Sequence, residues 1–452
     1  MTIRLDIGDV YNINDYDELA RMFLPRGSYE IVYKQADAFE GVPEKLKKER
    51  YMYLLLSEET GNRLPWGILT GVKPSKLYTQ LAENSVATAE EILKNEYLVS
   101  DEKIELLRRV CTNEQATLPE IHYGKNEEIA LYIGIPFCPN KCTYCTFTSS
   151  VGSEKQMNRY LESLHKEIDF VADEMSKLGM KAESVYIGGG TPTALTHSML
   201  DELLCRTKES FITENTEFTV EAGRPDSITY GKVQSIANAG AGRISINPQT
   251  MNDKTLGLIG RDHKAKDIYT AFENAKSVGI KIINTDIIAG LPGETEADFR
   301  NSLEEILKFE PNNLTVHTLS IKKGSALREQ DLMLSYNGTG MAGEMIRIAD
   351  RELSAKGMNP YYMYRQKQTV DNLENTGYAI PGTACVYNMR MMQEKQTVIA
   401  LGAGAVSRKY FPDTDRIERV YNIAESTLYS ERIDEMFERK KVLFTCDQAQ
   451  RL

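Results

Sequence analysis

The sequence predicts an α/β fold built on a partial (βα)6 TIM-like barrel, with an N-terminal α+β domain before it and a C-terminal α+β region after it. Three observations predict this. From Ile129 onward, short runs rich in β-branched and aromatic residues alternate with longer amphipathic stretches, the pattern of parallel βαβ units. Six such units follow one another without a break. The polar and glycine-rich signals fall within the strand-like runs or just after them, where barrels carry their chemistry.

Residues 1–115 read as the N-terminal domain. TIRLDI and YEIVYK alternate like short strands. DYDELARMF, PEKLKKERYMYLLLSEE, PSKLYTQLAEN and DEKIELLRRVCTNE carry apolar residues at helical spacing. The polar run TNEQATLPEIHYGKNEE lacks a period, so 116–128 read as a linker. The barrel spans 129–335. IALYIGI is its first strand, and a long helix follows from Glu154 to Leu178. ESVYIGG, EFTVEA, RISIN, IKIINTDII and NLTVHTLS are the later strands. SMLDELLCRTKES, SITYGKVQSIANAG, AKDIYTAFENAKSVG and EADFRNSLEEILKF are the helices between them, two of them ended by Gly240 and Gly279. From about Gly338 the alternation breaks, and 336–452 form the C-terminal region. There MAGEMIRIADRELSAKG reads as a helix, and YYMYRQK, CVYNMRMM and TVIALGAGAVS read as strands.

The 452 residues suffice for two or three domains. A hydrophobic fraction of 41% and a charged fraction of 26% are those of a soluble globular chain. The formal net charge of -11 argues against nucleic acid as the main partner. The N-terminus MTIRLDIGDVYNINDYDE lacks the basic and apolar regions of a signal peptide. No run of about 18 apolar residues marks a membrane span, so a cytoplasmic location is expected. Of seven cysteines, Cys111, Cys205, Cys385 and Cys446 are scattered and read as small buried hydrophobes.

The other three cluster in FCPNKCTYCTF as Cys138-x3-Cys142-x2-Cys145. Three thiolates suit a zinc site or an iron–sulfur cluster. A structural zinc site takes four ligands, and neither His122 nor His165 stands at finger-like spacing. Three cysteines instead leave one iron of a 4Fe–4S cluster open for a chelating ligand, and this loop follows the first strand of a βα array. The run Gly188-Gly189-Gly190-Thr191-Pro192 after the second strand permits close backbone approach to a ligand, though a plain flexible turn is compatible with it. Glu221 ends EFTVE, Gln249 follows RISIN, Arg261 lies in IGRDH and Asp286 within INTDII. Polar residues at barrel strand ends read as site residues, although each alone also fits a satisfied loop residue. For His317 and for Tyr361, Tyr362 and Tyr364, core packing is the simpler reading. Arg224, Arg243, Arg261, Arg365 and Lys367 are candidate partners for carboxylates.

LYIGIPFCPNKCTYCTF, YIGGGTPT, VEAGRPDS, RISINPQTM, LIGRDH and DIIAGLPGET, with CVYNMRMM and ALGAGAVS near the C-terminus, resemble the radical S-adenosylmethionine (SAM) family of oxygen-independent coproporphyrinogen III oxidases and their relatives. The resemblance covers about residues 128–408. PWGILTGVKPSKL and YYMYRQKQTVDNLENTGYA look like the HemZ branch of that family, and 336–452 resemble a HemN-like α+β domain. The resemblance implies a radical SAM barrel, a 4Fe–4S cluster on Cys138, Cys142 and Cys145, and one or two SAM molecules. It places Tyr132 near the SAM sulfonium and Tyr144 beside the cluster or an adenosyl group. It gives Gly189, Gly190 and Thr191 to the methionine end of SAM, and Glu221, Gln249, Arg261 and Asp286 to contacts with one SAM or a second. It assigns no acid, base or nucleophile.

Two positions depart from the oxidases: Phe147 stands where they carry a further cysteine, and Gly134 where they carry a histidine. The haem-chaperone branch, HemW, also lacks that cysteine. The implied function is therefore a radical SAM oxidoreductase acting on a tetrapyrrole, with oxidative decarboxylation of coproporphyrinogen III as the leading reaction. The alternatives are a haem-binding trafficking protein of the HemW type and a radical SAM enzyme with another substrate. The implied partners are a tetrapyrrole or haem and a reductant such as flavodoxin or ferredoxin.

Overall fold

The structure, a computed structural model, describes residues 3–6, 13–24, 28–32, 44–71, 73–124, 126–146, 149–320, 340–367 and 369–444. Phe147 and Cys446 lie outside them.

Near the N-terminus β1 (Ile3–Asp6) and β2 (Tyr29–Val32) pair in parallel as a small separate sheet. Helices Ile13–Phe23, Glu44–Thr60, Pro74–Ala82 and Asp101–Thr117 match the helical runs of the sequence. A further helix, Val86–Asn95, starts on Ser85, whose side chain accepts from Thr88 N. Its N-cap was a readable signal, but the polar residues of VATAEEILKN weaken the apolar period.

Six parallel strands pair in sequence order: β3 (Glu128–Ile135), β4 (Lys181–Gly189), β5 (Glu217–Glu221), β6 (Arg243–Ser245), β7 (Ile282–Ala289) and β8 (Asn313–Thr318). They form the partial TIM-like barrel. The helix Glu154–Leu178 shows how local sequence builds it. Ser153 and Gln156 form a capping box at its start, and Gly179 ends it in the left-handed region. Between them Tyr160, Leu161, Leu164, Ile168, Val171 and Met175 form one buried stripe. It packs on Ile129, Leu131, Ile133 and Ile135 of β3 in the main core, where each large side chain contributes about 1.5–3 kcal/mol.

The last strands of the chain join this same sheet at both edges. Beyond β8 come β9 (Asn359–Arg365) and β10 (Glu374–Ala379), with β10 antiparallel between β8 and β9. On the other side β11 (Val398–Leu401) runs parallel to β3, followed by the antiparallel β12 (Val406–Phe411) and β13 (Arg416–Tyr421). The result is an eleven-stranded open sheet. CVYNMRMM is corrected: Val386–Gln393 is a helix. Its β-branched and aromatic content suggests a strand, but tertiary anchoring wins. Arg390 forks onto Glu183 at 2.9 and 2.7 Å and donates to Pro119 O. Cys111 and Cys385 are buried, whereas Cys205 is exposed on the helix His197–Phe211 beside the buried Leu203 and Leu204. Among the described residues no helix is long and apolar enough to cross a membrane.

Candidate active site

The cysteine loop leaves the C-terminal end of β3 and is tied to its neighbours through the backbone. Cys138 N donates to Ser150 O, and Cys145 N to Cys142 O. Thr143 N donates to Ile259 O, which fixes the loop against the segment that carries Arg261. The glycine run after β4 lies directly against it: Gly190 N donates to Ile135 O and Thr191 N to Phe137 O, both at 2.7 Å. Thr191 Oγ1 stands 3.6 Å from Cys138 Sγ. Gly189 has φ +113, in the left-handed region. A Cβ on Gly190 would sit 2.5 Å from Phe137 O and 3.0 Å from Cys138 Sγ. A Cβ on Gly188 would meet Glu221 Oε2 at 2.9 Å. At Gly189 and Gly190 the absent Cβ lets the backbone close against Ile135 and Phe137 at the start of the loop.

Below the loop the barrel interior is aromatic and acidic. Tyr132 of β3 stacks at 6.2 Å on both Tyr186 of β4 and Tyr387 of the helix Val386–Gln393. Tyr186 Oη donates to Glu221 Oε1 at 2.6 Å. Burial, reinforced by nearby Asp286, pushes the Glu221 carboxyl up to about 7, against the pull of the Tyr186 hydrogen bond. Asp286 sits in the middle of β7 rather than at its end. Its Oδ1 accepts from Asn284 Nδ2 at 3.0 Å, and its Oδ2 lies 3.5 Å from His317 Nε2. His317 Nδ1 is in turn 3.3 Å from Tyr364 Oη.

Gln249 takes the left-handed region at φ 69, with its backbone bridged to β7 through Gln249 N to Asp286 O and Ile288 N to Gln249 O. That conformation is uncommon for a non-glycine residue, and here the two backbone bonds to β7 hold it. Its buried Oε1 has no hydrogen-bond partner among the described residues, an acceptor free for a ligand's donor. Arg261 is buried and donates to Asn247 O at 2.6 Å, Gly223 O at 3.2 Å and Tyr144 Oη at 3.2 Å, knitting three loops together.

Cys138, Cys142, Cys145, Gly189, Gly190, Thr191, Glu221, Gln249, Arg261 and Asp286 thus gather at the C-terminal end of the barrel or just inside it. Other candidates do not. Arg243 opens β6 at the opposite end, bound to Glu217 at 2.7 Å and Asn313 at 3.1 Å, which open β5 and β8. Arg365 donates to Leu69 O and Asn372 O, and Lys367 pairs with Glu18. Tyr361 and Tyr362 are buried core residues. Tyr186 and Tyr387 escape the sequence reading. Tyr186 pairs in register with Tyr132, a signal visible only once β3 is laid on β4.

Among the described residues no three Cys, His, Asp or Glu side chains converge as a single-ion site. A cubane cluster binds each thiolate to a different iron, so its sulfurs need not converge on one point. Three thiols in one loop, a glycine cradle pressed against Cys138 and an orphaned Gln249 acceptor fit a cluster with a polar organic ligand beside it.

Fold and site together define a radical SAM enzyme. Residues 132–306 match the radical SAM superfamily, whose cofactors are a 4Fe–4S cluster and SAM. The chain is 37% identical over 413 residues to the oxygen-independent coproporphyrinogen-III oxidase-like protein HemZ of Bacillus subtilis (strain 168), over 90% of the chain and 82% of that relative. It is 29% identical over 279 residues to the heme chaperone HemW of the same organism, over 61% of the chain and 69% of the chaperone. The solved coproporphyrinogen III oxidase HemN from Escherichia coli, a radical SAM enzyme, superposes with a TM-score of 0.56 at 20% identity, covering 72% and 73% of the two chains. The chain belongs to the family of oxygen-independent coproporphyrinogen-III oxidase-like HemZ proteins.

Glu221 makes the apoprotein's stability pH-dependent. In the unfolded chain its carboxyl ionises near the ordinary value of 4.5, but the folded chain holds the proton up to about 7. Between those values the unfolded state has released a proton that the folded state retains, so stability falls as pH rises through this window. Melting temperatures of the apoprotein from pH 4.5 to 7.5 are expected to show that fall, and Glu221→Gln to flatten it. An equal slope in the variant would show that another group titrates.

Proposed function

We propose that the chain is an oxidoreductase of a tetrapyrrole, carrying out oxygen-independent oxidative decarboxylation of a porphyrinogen such as coproporphyrinogen III. The observation that carries this reading is extensive likeness to the HemZ relative, together with a cysteine loop packed on a glycine cradle above an aromatic barrel interior. Cys138, Cys142 and Cys145 would hold the cluster. Gly189, Gly190 and Thr191 would hold the methionine end of SAM, with Tyr132 near its sulfonium. Gln249 would accept from a SAM donor, and Glu221, Arg261 and Asp286 would complete the contacts. Tyr144, half-buried with its Oη accepting from Arg261, would pack beside the cluster or the adenosyl group. When bound, the cofactors supply a hydrogen-abstracting radical by reductive cleavage of SAM. This chain's own work is to orient: Arg261 locks the loops, and the stack of Tyr132, Tyr186 and Tyr387 lines the interior. A cytoplasmic reductant of the flavodoxin or ferredoxin type would supply electrons.

The test is anaerobic incubation with coproporphyrinogen III, SAM and reductant, followed by product mass and 5′-deoxyadenosine release. Loss of CO2 from the substrate is expected, with 5′-deoxyadenosine rising when substrate is added. Likeness to HemW over 61% of the chain supports a second reading, a haem-trafficking protein. Stable stoichiometric haem binding without substrate-stimulated 5′-deoxyadenosine would favour it.

A further inference from the structure

Beyond holding the cofactors, the geometry points to Arg224 as the residue that tunes the cluster's reduction potential, by donating an N–H to the Cys142 sulfur from a guanidinium locked in place by Asp226. The inference rests on the assignment of Cys142 as a cluster ligand.

Arg224 stands three residues beyond the end of β5. Its backbone is fixed by a tight turn: its carbonyl accepts from Ser227 N at 2.9 Å and from Ser227 Oγ at 2.7 Å. The Arg224 side chain is 4% exposed. Nε donates to Asp226 Oδ1 at 3.0 Å and Nη2 to Asp226 Oδ2 at 2.9 Å, a two-point fork. The edge left over turns to the cysteine loop, where Nη1 lies 3.4 Å from Cys142 Sγ and 3.5 Å from Asn140 O. The fork is therefore already occupied, and the sequence-based expectation of Arg224 as a partner for substrate carboxylates is replaced by one of service to the cysteine loop.

Among the described residues the buried charges around this sulfur are few. Asp226 offsets part of the Arg224 charge. His263, with a fully buried side chain, lies 4.0 Å from Asp226. Burial, aided by Arg261 and Arg224, pushes its pKa down to about 4, so it adds no charge at neutral pH. Among the described residues Arg261 is the other buried cation near Cys142, but its Nη1 and Nη2 donate to carbonyls and to Tyr144, and the exposed Lys141 next to Cys142 is screened by solvent. Arg224 thus makes the direct contact. A reduced cluster carries one more negative charge than an oxidised one. An N–H on a ligand sulfur, and a positive charge in a water-poor site, both favour the reduced state and raise the potential. Asp226 works in the opposite direction, and it also aims the guanidinium. Arg224 is a positioning and tuning residue that acts through Cys142.

The test uses the full chain, reconstituted anaerobically, with iron and sulfide counted and the EPR signal of the reduced cluster titrated against potential. Arg224→Met is expected to load a full cluster with a lower midpoint. Arg224→Lys, which keeps the charge but loses the rigid fork, should fall between it and wild type. Asp226→Asn, which removes the counter-charge, should move the midpoint up. Opposite shifts from two adjacent side chains at equal cluster content are not produced by a merely structural role. A fully loaded Arg224→Met with an unchanged or raised midpoint overturns the inference. If Arg224→Met does not load, Arg224→Lys decides: a midpoint below wild type supports the inference and an unchanged or raised one overturns it. A wild-type chain that binds no cluster removes the Cys142 assignment itself, and the iron count reveals that before any titration.

Discussion

Replacing Cys142 by alanine is expected to cut bound iron well below the roughly four per chain of a 4Fe–4S cluster and to lower SAM cleavage by at least about 1,000-fold, equivalent to about 4 kcal/mol of barrier. Cys142 is the buried member of its trio, and its loop is held mostly by backbone bonds that alanine preserves, such as Cys145 N to Cys142 O. The fold should therefore survive while the ligand set drops to two thiolates. The contrast with the other buried cysteines sharpens the test. Burial pushes the thiols of Cys111 and Cys385 up to about 12, so neither offers a thiolate at neutral pH. Cys111→Ala should keep its iron and its SAM cleavage. Iron analysis, absorbance and 5′-deoxyadenosine release on both variants check this. A full cluster with undiminished cleavage in Cys142→Ala would sink the assignment.

The barrel is legible in the sequence because its units are local. The helix Glu154–Leu178 carries its own start at Ser153, its own stop at Gly179 and its own apolar stripe, so a window of sequence contains the whole argument. Strand partners are not local. Nothing in VIAL states that β11 lies beside β3, or that β9 and β10 extend the far edge, so the C-terminal strands are readable as elements but not as parts of the barrel sheet. The site divides the same way. The cysteine spacing and the glycine run are short-range signals, and they stand together in space. Arg243 reads as a site residue only if its position in the strand is ignored, because it opens β6 and so belongs to the other end. The pairing of Arg224 with Asp226 lies two residues apart and was within reach of the sequence, whereas its approach to Cys142 spans loops after two different strands.

Lys103→Met is expected to destabilise the protein by about 3–5 kcal/mol, because it breaks a buried ion pair on one side only. The pair joins the N-terminal helices to the far edge of the barrel sheet. Lys103 Nζ, on the helix Asp101–Thr117, lies 2.7 Å from Glu374 Oε1 at the start of β10, with side-chain exposures of 4% and 0%. Trp66, itself fully buried, donates its Nε1 to the second oxygen of Glu374 at 2.7 Å. Arg365, the cross-strand neighbour of Glu374, lies over the Trp66 ring and donates to Leu69 O. Burial works against both charges, but each partner outweighs it for the other: the Glu374 carboxyl is held below its ordinary value and the Lys103 ammonium above its own. The pair's contribution is therefore complete between about pH 4.5 and 10.5, and is lost as pH falls through the depressed Glu374 value or rises through the raised Lys103 value. With Lys103 gone, Glu374 loses its ion-pair partner and keeps the indole, a backbone N–H and the more distant Arg365 charge, so it must stay charged in a dry interior with weaker compensation or take up a proton. Removing both charges, as in Lys103→Met with Glu374→Leu, relieves that penalty, so the double variant should recover most of the loss and reveal strong coupling in a double-mutant cycle. Because β10 also pairs with β8, which carries His317, the single variant should loosen the barrel edge together with the N-terminal unit. Denaturant titration, with proteolysis in the connecting segment between Thr117 and Glu128, reads both effects. A single variant as stable as wild type would show that this buried pair does not hold the two parts together.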